Sequence, residues 1–314
     1  MKTVWREGKI KNVLIIRLAG GLGNQMQQYA MYRKLLKLGR DARLDFAWFD
    51  ADNQKGQLAP RAAELLYFPG LCYEACTDAE RDRFLKRGIV ERGISRLLPE
   101  RSRVWEEREM YHPELFTMED KYLMGYFLCN KYYEDLWDEL RGAFAFPMHT
   151  QERYHLKNVD MMNEMLERES VSVHIRRGDY LTPENAALFG GITTDTYYET
   201  AMEYFRKRLP HVHFYIFTND VPYALEHYAD RAQYTIIDWN TGRDSLLDMQ
   251  LMSCCRGNIC ANSTFSFWGA RLNARPDREV IRPYRMRNNQ TYDPDEMHDY
   301  WKGWVLMDEA GKVV

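Results

Sequence analysis

The sequence predicts an α/β protein built of two Rossmann-like lobes, and three observations carry that expectation. Through the second half, short apolar runs rich in β-branched residues alternate with helical stretches of about ten residues, the pattern of a doubly wound parallel sheet. The first half opens with a strand, a glycine turn, a helix and a second strand, which is one βαβ unit. A length of 314 residues is long for one hydrophobic core and comfortable for two α/β domains.

Residues 13–18 (Val-Leu-Ile-Ile-Arg-Leu) read as a buried strand. Ala19 to Asn24 holds three glycines, and Gln25 to Leu38 reads as a helix closed by Gly39 just past its end. Residues 42–49 give the second strand. Three glycines in a strand-to-helix turn let backbone approach a ligand, with helix N–H groups aimed at it. A dinucleotide fingerprint fails here, because Met26 stands where the third glycine after Gly21 and Gly23 belongs. Asn24 and Gln25 instead place neutral amides at the helix start, suited to hydroxyls or a phosphoryl oxygen; a tight turn with an Asn cap is the plain alternative.

From about 60 to 120 the pattern is charged and mostly helical, with Asp78–Arg83 and Arg101–Glu109 as solvated helix faces. Residues 122–127 read as a buried strand and Lys131–Leu140 as a helix. Pro147 and the polar stretch to about Lys157 suggest a linker. The second half then alternates: strand 171–176, helix 194–208, strand 212–217, helix 222–229, strand 233–238, helix 244–255, strand 258–261, helix 264–273, strand 279–282. The expected division is a lobe over 1–155, a second over 156–290, and a tail over 291–314 whose Tyr300, Trp301 and Trp304 pack back on the first lobe.

Lysine and arginine number 43 against 46 aspartates and glutamates, a net charge of -3 that gives no general attraction to nucleic acid or anionic membrane. Phosphate binding must come from a local site. The N-terminal residues lack an apolar signal core, and no apolar run approaches the roughly 18 residues of a membrane span. Adjacent Cys254 and Cys255 read as buried thiols, and Cys72 and Cys76 lack a partner pair for zinc, so no metal site and a reducing, cytoplasmic setting are expected.

Val171 to Tyr180 is the stretch with most chemistry in it. A buried strand ends in Arg176-Arg177-Gly178-Asp179, and ligands of open α/β sheets bind beyond the carboxyl ends of strands. Period-two alternation puts His174 and Arg176 on one face and Val173, Ile175 and Arg177 on the other, so the two arginines do different jobs. A guanidinium fork suits a diphosphate and needs no metal; a strand-end salt bridge is the bland reading. Thr218-Asn219-Asp220, Asp238 and Asn262-Ser263-Thr264 end other strands. Ser263 and Thr264 open a helix, offering hydroxyls and N–H groups to an anion, or simply an N-cap. Asp293-Pro294-Asp295 reads as a loop.

His174-Ile-Arg-Arg-Gly-Asp-Tyr180, Gly20-Gly-Leu-Gly-Asn-Gln25 and Asn262-Ser-Thr-Phe-Ser-Phe-Trp-Gly-Ala270 together resemble the α-1,2-fucosyltransferases of bacteria and animals, family 11 of the glycosyltransferases. Gly125-Tyr-Phe127 and Asp244 to Ser253 also look like family stretches. The resemblance implies a GT-B-type fold with the acceptor on the N-terminal lobe and the nucleotide sugar on the second. It implies inverting transfer of fucose from GDP-β-L-fucose to the 2-hydroxyl of a galactose, with no cofactor and no essential metal. Carried over by position, Arg176 grips the diphosphate, Arg177 supports it and His174 shapes the pocket. Ser263, Thr264 and Phe265 cradle phosphate and sugar, Gly21 and Asp220 border the donor, and Asn24 reaches it across a cleft. Phe267-Trp268 and Arg271 depart from the commonest family pattern and bear on acceptor preference.

An inverting transfer also needs a group to take the proton of the attacking hydroxyl. Asp179 is the first candidate, with a salt bridge to Arg177 as its competing role; Asp45, as base or acceptor ligand, and His112 follow. The implied partners are GDP-fucose and a galactose-terminated oligosaccharide or polysaccharide precursor, met in the cytoplasm, free or peripherally at the inner membrane face. A fucosyltransferase of another linkage, a non-catalytic nucleotide- or glycan-binding protein and a nicotinamide oxidoreductase are the rival readings.

Overall fold

The computed structural model describes residues 12–55, 61–86, 102–108 and 110–314. The chain divides into two compact units, Met1–Leu65 with Cys72–Leu136, and Leu66–Leu71 with Trp137–Val314. Each holds one all-parallel sheet, as the two-lobed α/β expectation requires.

In the first unit, β1 (Val13–Arg17) lies between β2 (Asp41–Asp45) and β4 (Lys121–Met124), with β3 (Val104–Glu106) outside β4. Ile15 pairs with Arg43 on one side and Tyr122 on the other. Helix α1 (Leu22–Lys37) connects β1 to β2. Gly39 takes φ +73°, and the N–H groups of Gly39 and Arg40 return to the Leu36 and Leu35 carbonyls at 2.9 Å, so the helix stops where glycine frees the backbone to turn left-handed. Helix α2 (Asp78–Leu85) is solvated as expected and buries only Phe84, against Val13, Ile15 and Tyr122. Its Thr77–Glu80 capping box holds the start.

In the second unit, α3 (Trp137–Ala143) and α4 (Glu152–Glu167) precede β5 (Ser170–Ile175). Then come α5 (Pro183–Phe189), α6 (Asp195–Arg206), β6 (His213–Thr218), α7 (Val221–His227), β7 (Tyr234–Ile237) and α8 (Leu246–Cys254). The chain ends with β8 (Gly257–Ile259), α9 (Thr264–Leu272), β9 (Glu279–Pro283), α10 (Pro294–Tyr300) and β10 (Val305–Met307). The order is β10-β9-β8-β5-β6-β7. Strands run outward from β5 to β7, then resume at β8 on the other side, so β5 and β8 flank the switch point where such sheets bind ligands. Val171, Val173 and Ile175 face Tyr197, Ala201 and Phe205 of α6, all buried; burying each such aliphatic side chain stabilises by roughly 1.5–3 kcal/mol. Tyr215, Phe217 and Ile237 face the opposite side, against Met165, Leu251 and Met252.

Several expectations are corrected. The strand expected to 49 ends at Asp45, because the Asp45 carboxylate accepts the Ala47 N–H at 2.9 Å and turns the chain. Within Arg101–Glu109, Val104–Glu106 is an edge strand and no helix face; Arg101 and Glu109 themselves lie outside the described residues. Lys131–Leu140 begins as two 3₁₀ turns that bury adjacent Tyr132 and Tyr133 completely, and becomes α-helical only at Trp137. The expected linker already contains the first turns of α4, whose buried Asn158 and Met165 anchor an otherwise polar helix. Asp293-Pro294-Asp295 is no loop: Asp293 caps α10 by accepting the Glu296 N–H at 3.1 Å. The tail belongs to the second unit, where β10 pairs with β9 and Trp301 and Trp304 pack on Phe267. All six cysteines are free thiols, and burial pushes those of Cys254 and Cys255 up. Among the described residues, no helix is long and apolar enough to cross a membrane.

Candidate functional site

The carboxyl ends of β5, β6 and β8 lie side by side in the second sheet. Here the alternation along β5 does separate its two arginines. Arg176 donates from Nη2 to Asp179 Oδ2 at 2.8 Å, with Arg176 24% and Asp179 37% exposed. The guanidinium therefore neither points wholly into bulk water nor is sealed inside the protein. Arg177 turns the other way, donating from Nε to Asp220 Oδ2 at 3.1 Å and lying 3.9 Å over the Tyr223 ring. Asp220 also caps α7 through the Tyr223 N–H at 3.2 Å, so its carboxylate is already engaged twice. The competing role expected for Asp179, a bridge to Arg177, is corrected: its partner is Arg176.

Asn219 organises this corner. Its Oδ1 accepts the Arg177 backbone N–H at 2.9 Å and its Nδ2 donates to Asp179 Oδ1 at 3.4 Å. Residue 178 has to be glycine for this approach, since a Cβ there would fall 2.2 Å from Asn219 Nδ2. The signal was in the sequence as a polar strand end, but its use depends on the β5–β6 pairing.

His174 is buried, its ring 5.7 Å from the Phe265 ring. Burial, then the Arg176 charge, push its pKa down to about 3, so the ring is neutral at any physiological pH. Its Nδ1 is buried without a hydrogen-bond partner among the described residues. Ser263 caps α9, its side chain accepting the Phe265 N–H at 3.4 Å. The Thr264 N–H makes no hydrogen bond among the described residues and remains available at the helix mouth. Tyr180 joins the two strand ends: its hydroxyl donates to the Asn262 carbonyl at 3.0 Å and its ring lies 5.6 Å from the Arg176 guanidinium carbon. Asn262 uses its own amide on the Phe189 and Met286 carbonyls. The structure thus brings His174, Arg176, Asp179, Ser263, Thr264 and Phe265 to one edge.

The glycine turn of the first unit differs from expectation. Glu64 accepts the Leu22 N–H at 3.0 Å, so the mouth of α1 already carries a carboxylate and does not stand open to an anion. Gln25 is spent on backbone, donating to the Gly20 and Ala62 carbonyls and accepting the Leu65 N–H at 2.9 Å. Gly21 is the N-cap, its carbonyl taking the Asn24 and Gln25 N–H groups. The Asn24 side-chain amide makes no hydrogen bond among the described residues. No local pattern in the sequence marks Glu64 for this role, because it lies 42 residues away from its partner.

Asp45 is corrected as a base: it is buried, accepts the Tyr122 hydroxyl at 2.6 Å and faces Arg81 at 3.6 Å. His112 is likewise structural, held by Glu114 at 2.8 Å and the edge of Trp105. Among the described residues, no three His, Cys, Asp or Glu are grouped to hold a metal ion.

Comparison with known proteins agrees with these motifs. Residues 101–308 match the model of glycosyl transferase family 11. The O-antigen biosynthesis glycosyltransferase WbnK of Escherichia coli is 30% identical over 287 residues, 85% of this chain and 92% of WbnK. The Escherichia coli α-1,2-colitosyltransferase is 27% identical over 279 residues, 83% of this chain and 88% of its own. Galactoside α-(1,2)-fucosyltransferase 1 of Mus musculus is 26% identical over 198 residues, covering 58% of this chain and 51% of the mouse protein. With most of its length matched to that family and to WbnK, the chain belongs to glycosyl transferase family 11, the α-1,2-fucosyltransferase-like enzymes.

Proposed function

We propose that this enzyme moves L-fucose from GDP-β-L-fucose to the 2-hydroxyl of a galactose in a glycan acceptor, inverting the transferred carbon without an essential metal. The observation that carries this reading is the convergence of Arg176 and the mouth of α9 on the β5–β8 edge, fastened by the Tyr180–Asn262 bond. The acceptor oxygen attacks the fucose C1 from the face opposite GDP. The C1–O bond breaks, its electron pair leaves on the β-phosphate, and the hydroxyl proton passes to a carboxylate.

The leaving diphosphate gathers charge where Arg176 and the Thr264 N–H can meet it, and donors already aimed there need no reorganisation at the moment of reaction. As phosphate takes the guanidinium, Asp179 is released from Arg176 and takes the proton of the attacking hydroxyl. His174, held neutral, shapes the pocket with Phe265 and adds no charge. Arg177 supports the corner through Asp220 and Asn219. The likeness to WbnK supports an O-antigen or other polysaccharide precursor as the acceptor, and a cytoplasmic setting goes with it.

A second donor is favoured by the likeness to the α-1,2-colitosyltransferase: the GDP derivative of colitose, which is fucose lacking its 3-hydroxyl. One experiment decides between them. The protein is incubated with either GDP-sugar and a panel of β-galactosides, with and without EDTA, and the product linkage is read by NMR. Fucosyl transfer to the galactose 2-hydroxyl, undiminished by EDTA, is the expected result. Transfer from the colitose donor alone, another linkage, or GDP binding without turnover each replaces the reading with its rival.

A further inference from the structure

Four arginines follow β5 and β9: Arg176, Arg177, Arg285 and Arg287. Three are matched by carboxylates. Arg176 pairs with Asp179 at 2.8 Å, Arg177 with Asp220 at 3.1 Å, and Arg285 with Glu309 at 2.9 Å. A matched pair contributes little net charge to a group that becomes more negative as it leaves. Arg287 has no carboxylate partner among the described residues, and its Nε is buried without a hydrogen-bond partner.

The surroundings of Arg287 bind it to the edge already described. Its backbone N–H donates to the Tyr292 hydroxyl at 3.0 Å. The carbonyl of the preceding residue, Met286, accepts from Asn262 Nδ2 at 3.3 Å, next to Ser263 and Thr264. The following residue, Asn288, holds the Ala187 and Gly190 carbonyls of the α5 segment. The charge of Arg287 acts on the Tyr180 phenol, as does that of Arg176. A half-buried guanidinium with no counter-ion costs free energy that an incoming anion relieves.

We propose that Arg287 is a donor-binding residue, the guanidinium that supplies the uncompensated positive charge for the diphosphate of the nucleotide sugar. This rests on reading the edge as a nucleoside-diphosphate site. The assignment divides the labour: Arg176 meets the phosphate by leaving Asp179, whereas Arg287 supplies charge that no carboxylate offsets from the outset.

The test compares GDP and guanosine binding to the whole protein and to its Arg287→Gln and Arg287→Lys variants by calorimetry at two salt concentrations. The expected result is that Arg287→Gln weakens GDP about tenfold or more, leaves guanosine unchanged and lowers the salt sensitivity of GDP binding, while Arg287→Lys restores part of the loss. GDP bound equally by wild type and Arg287→Gln overturns the inference and spares the donor reading. Equal loss of GDP and guanosine also overturns it, since that marks a structural role. Wild-type protein that binds no GDP overturns the donor reading and this inference together.

Discussion

The Tyr180 hydroxyl donates to the Asn262 carbonyl at 3.0 Å across 82 residues of sequence, and that bond holds the loop after β5 against the loop after β8. Burial pushes the Tyr180 phenol up to about 12, so it keeps its proton, and the bond, throughout the neutral range. The same ring stacks on Phe189 at 4.9 Å. Tyr180→Phe keeps that stacking and loses only the bond. The expected outcome is a stability loss of about 1 kcal/mol in urea titration with a disproportionate fall in kcat/KM for the GDP-sugar. Unchanged kinetics would show that the two strand ends hold their places without it.

In the proposed mechanism the Arg176 guanidinium meets the leaving group, and Arg176→Ala removes it. Because the side chain is partly solvated at a strand end, the sheet tolerates its loss. Transfer should drop by about 10²-fold or more, while circular dichroism and the melting temperature stay close to wild type. Arg176→Lys should fall between the two, keeping charge and losing the fork. Near-normal turnover of Arg176→Ala contradicts the proposed mechanism.

Asp179→Asn separates proton acceptor from clamp. A lost proton acceptor costs about 10²–10⁴-fold in kcat, and that is the expected result. A loss below tenfold would leave Asp179 only the task of orienting Arg176.

The close approach of Gly178 and Asn219 predicts a coupled pair. Gly178→Ala places a Cβ 2.2 Å from Asn219 Nδ2, displacing the amide that steadies Arg177 and Asp179, at an expected cost of about 1–3 kcal/mol. Adding Asn219→Ala makes room, so the double variant should lose less stability than the two single changes summed. Strict additivity in urea titration would deny the contact.

What the sequence reveals follows the range of each interaction. The β5 strand, its alternation and its Arg-Arg-Gly-Asp end are local, and so is the α1 stop at Gly39. The capture of the α1 mouth by Glu64 and of Asp45 by Tyr122 joins residues 42 and 77 positions apart, which no local pattern encodes. For the same reason Asp45 looks like a free strand-end carboxylate in the sequence and proves to be spent. Helix α4 is misread because only Asn158 and Met165 of its residues are buried, so its surface resembles a linker. The 3₁₀ turns before α3 show tertiary burial of Tyr132 and Tyr133 overriding helix periodicity.

His174 gives the protein a defined sensitivity to acid. Its native pKa, pushed down to about 3 by burial and the Arg176 charge, lies below the ordinary histidine value of about 6.5 in the unfolded chain. Between those limits the unfolded chain takes up a proton that the native ring refuses, so stability rises with pH. The contribution is fully present above about pH 6.5 and drains away as pH falls toward 3. His174→Gln removes the titrating group, and its stability should therefore depend less on pH between about 4 and 6.5, an interval of about 2.5 units inside that window. Urea midpoints across that interval decide the matter: the wild-type chain should fall more steeply toward acid than the variant. Parallel slopes would mean that the ring is solvated enough to accept its proton without unfolding.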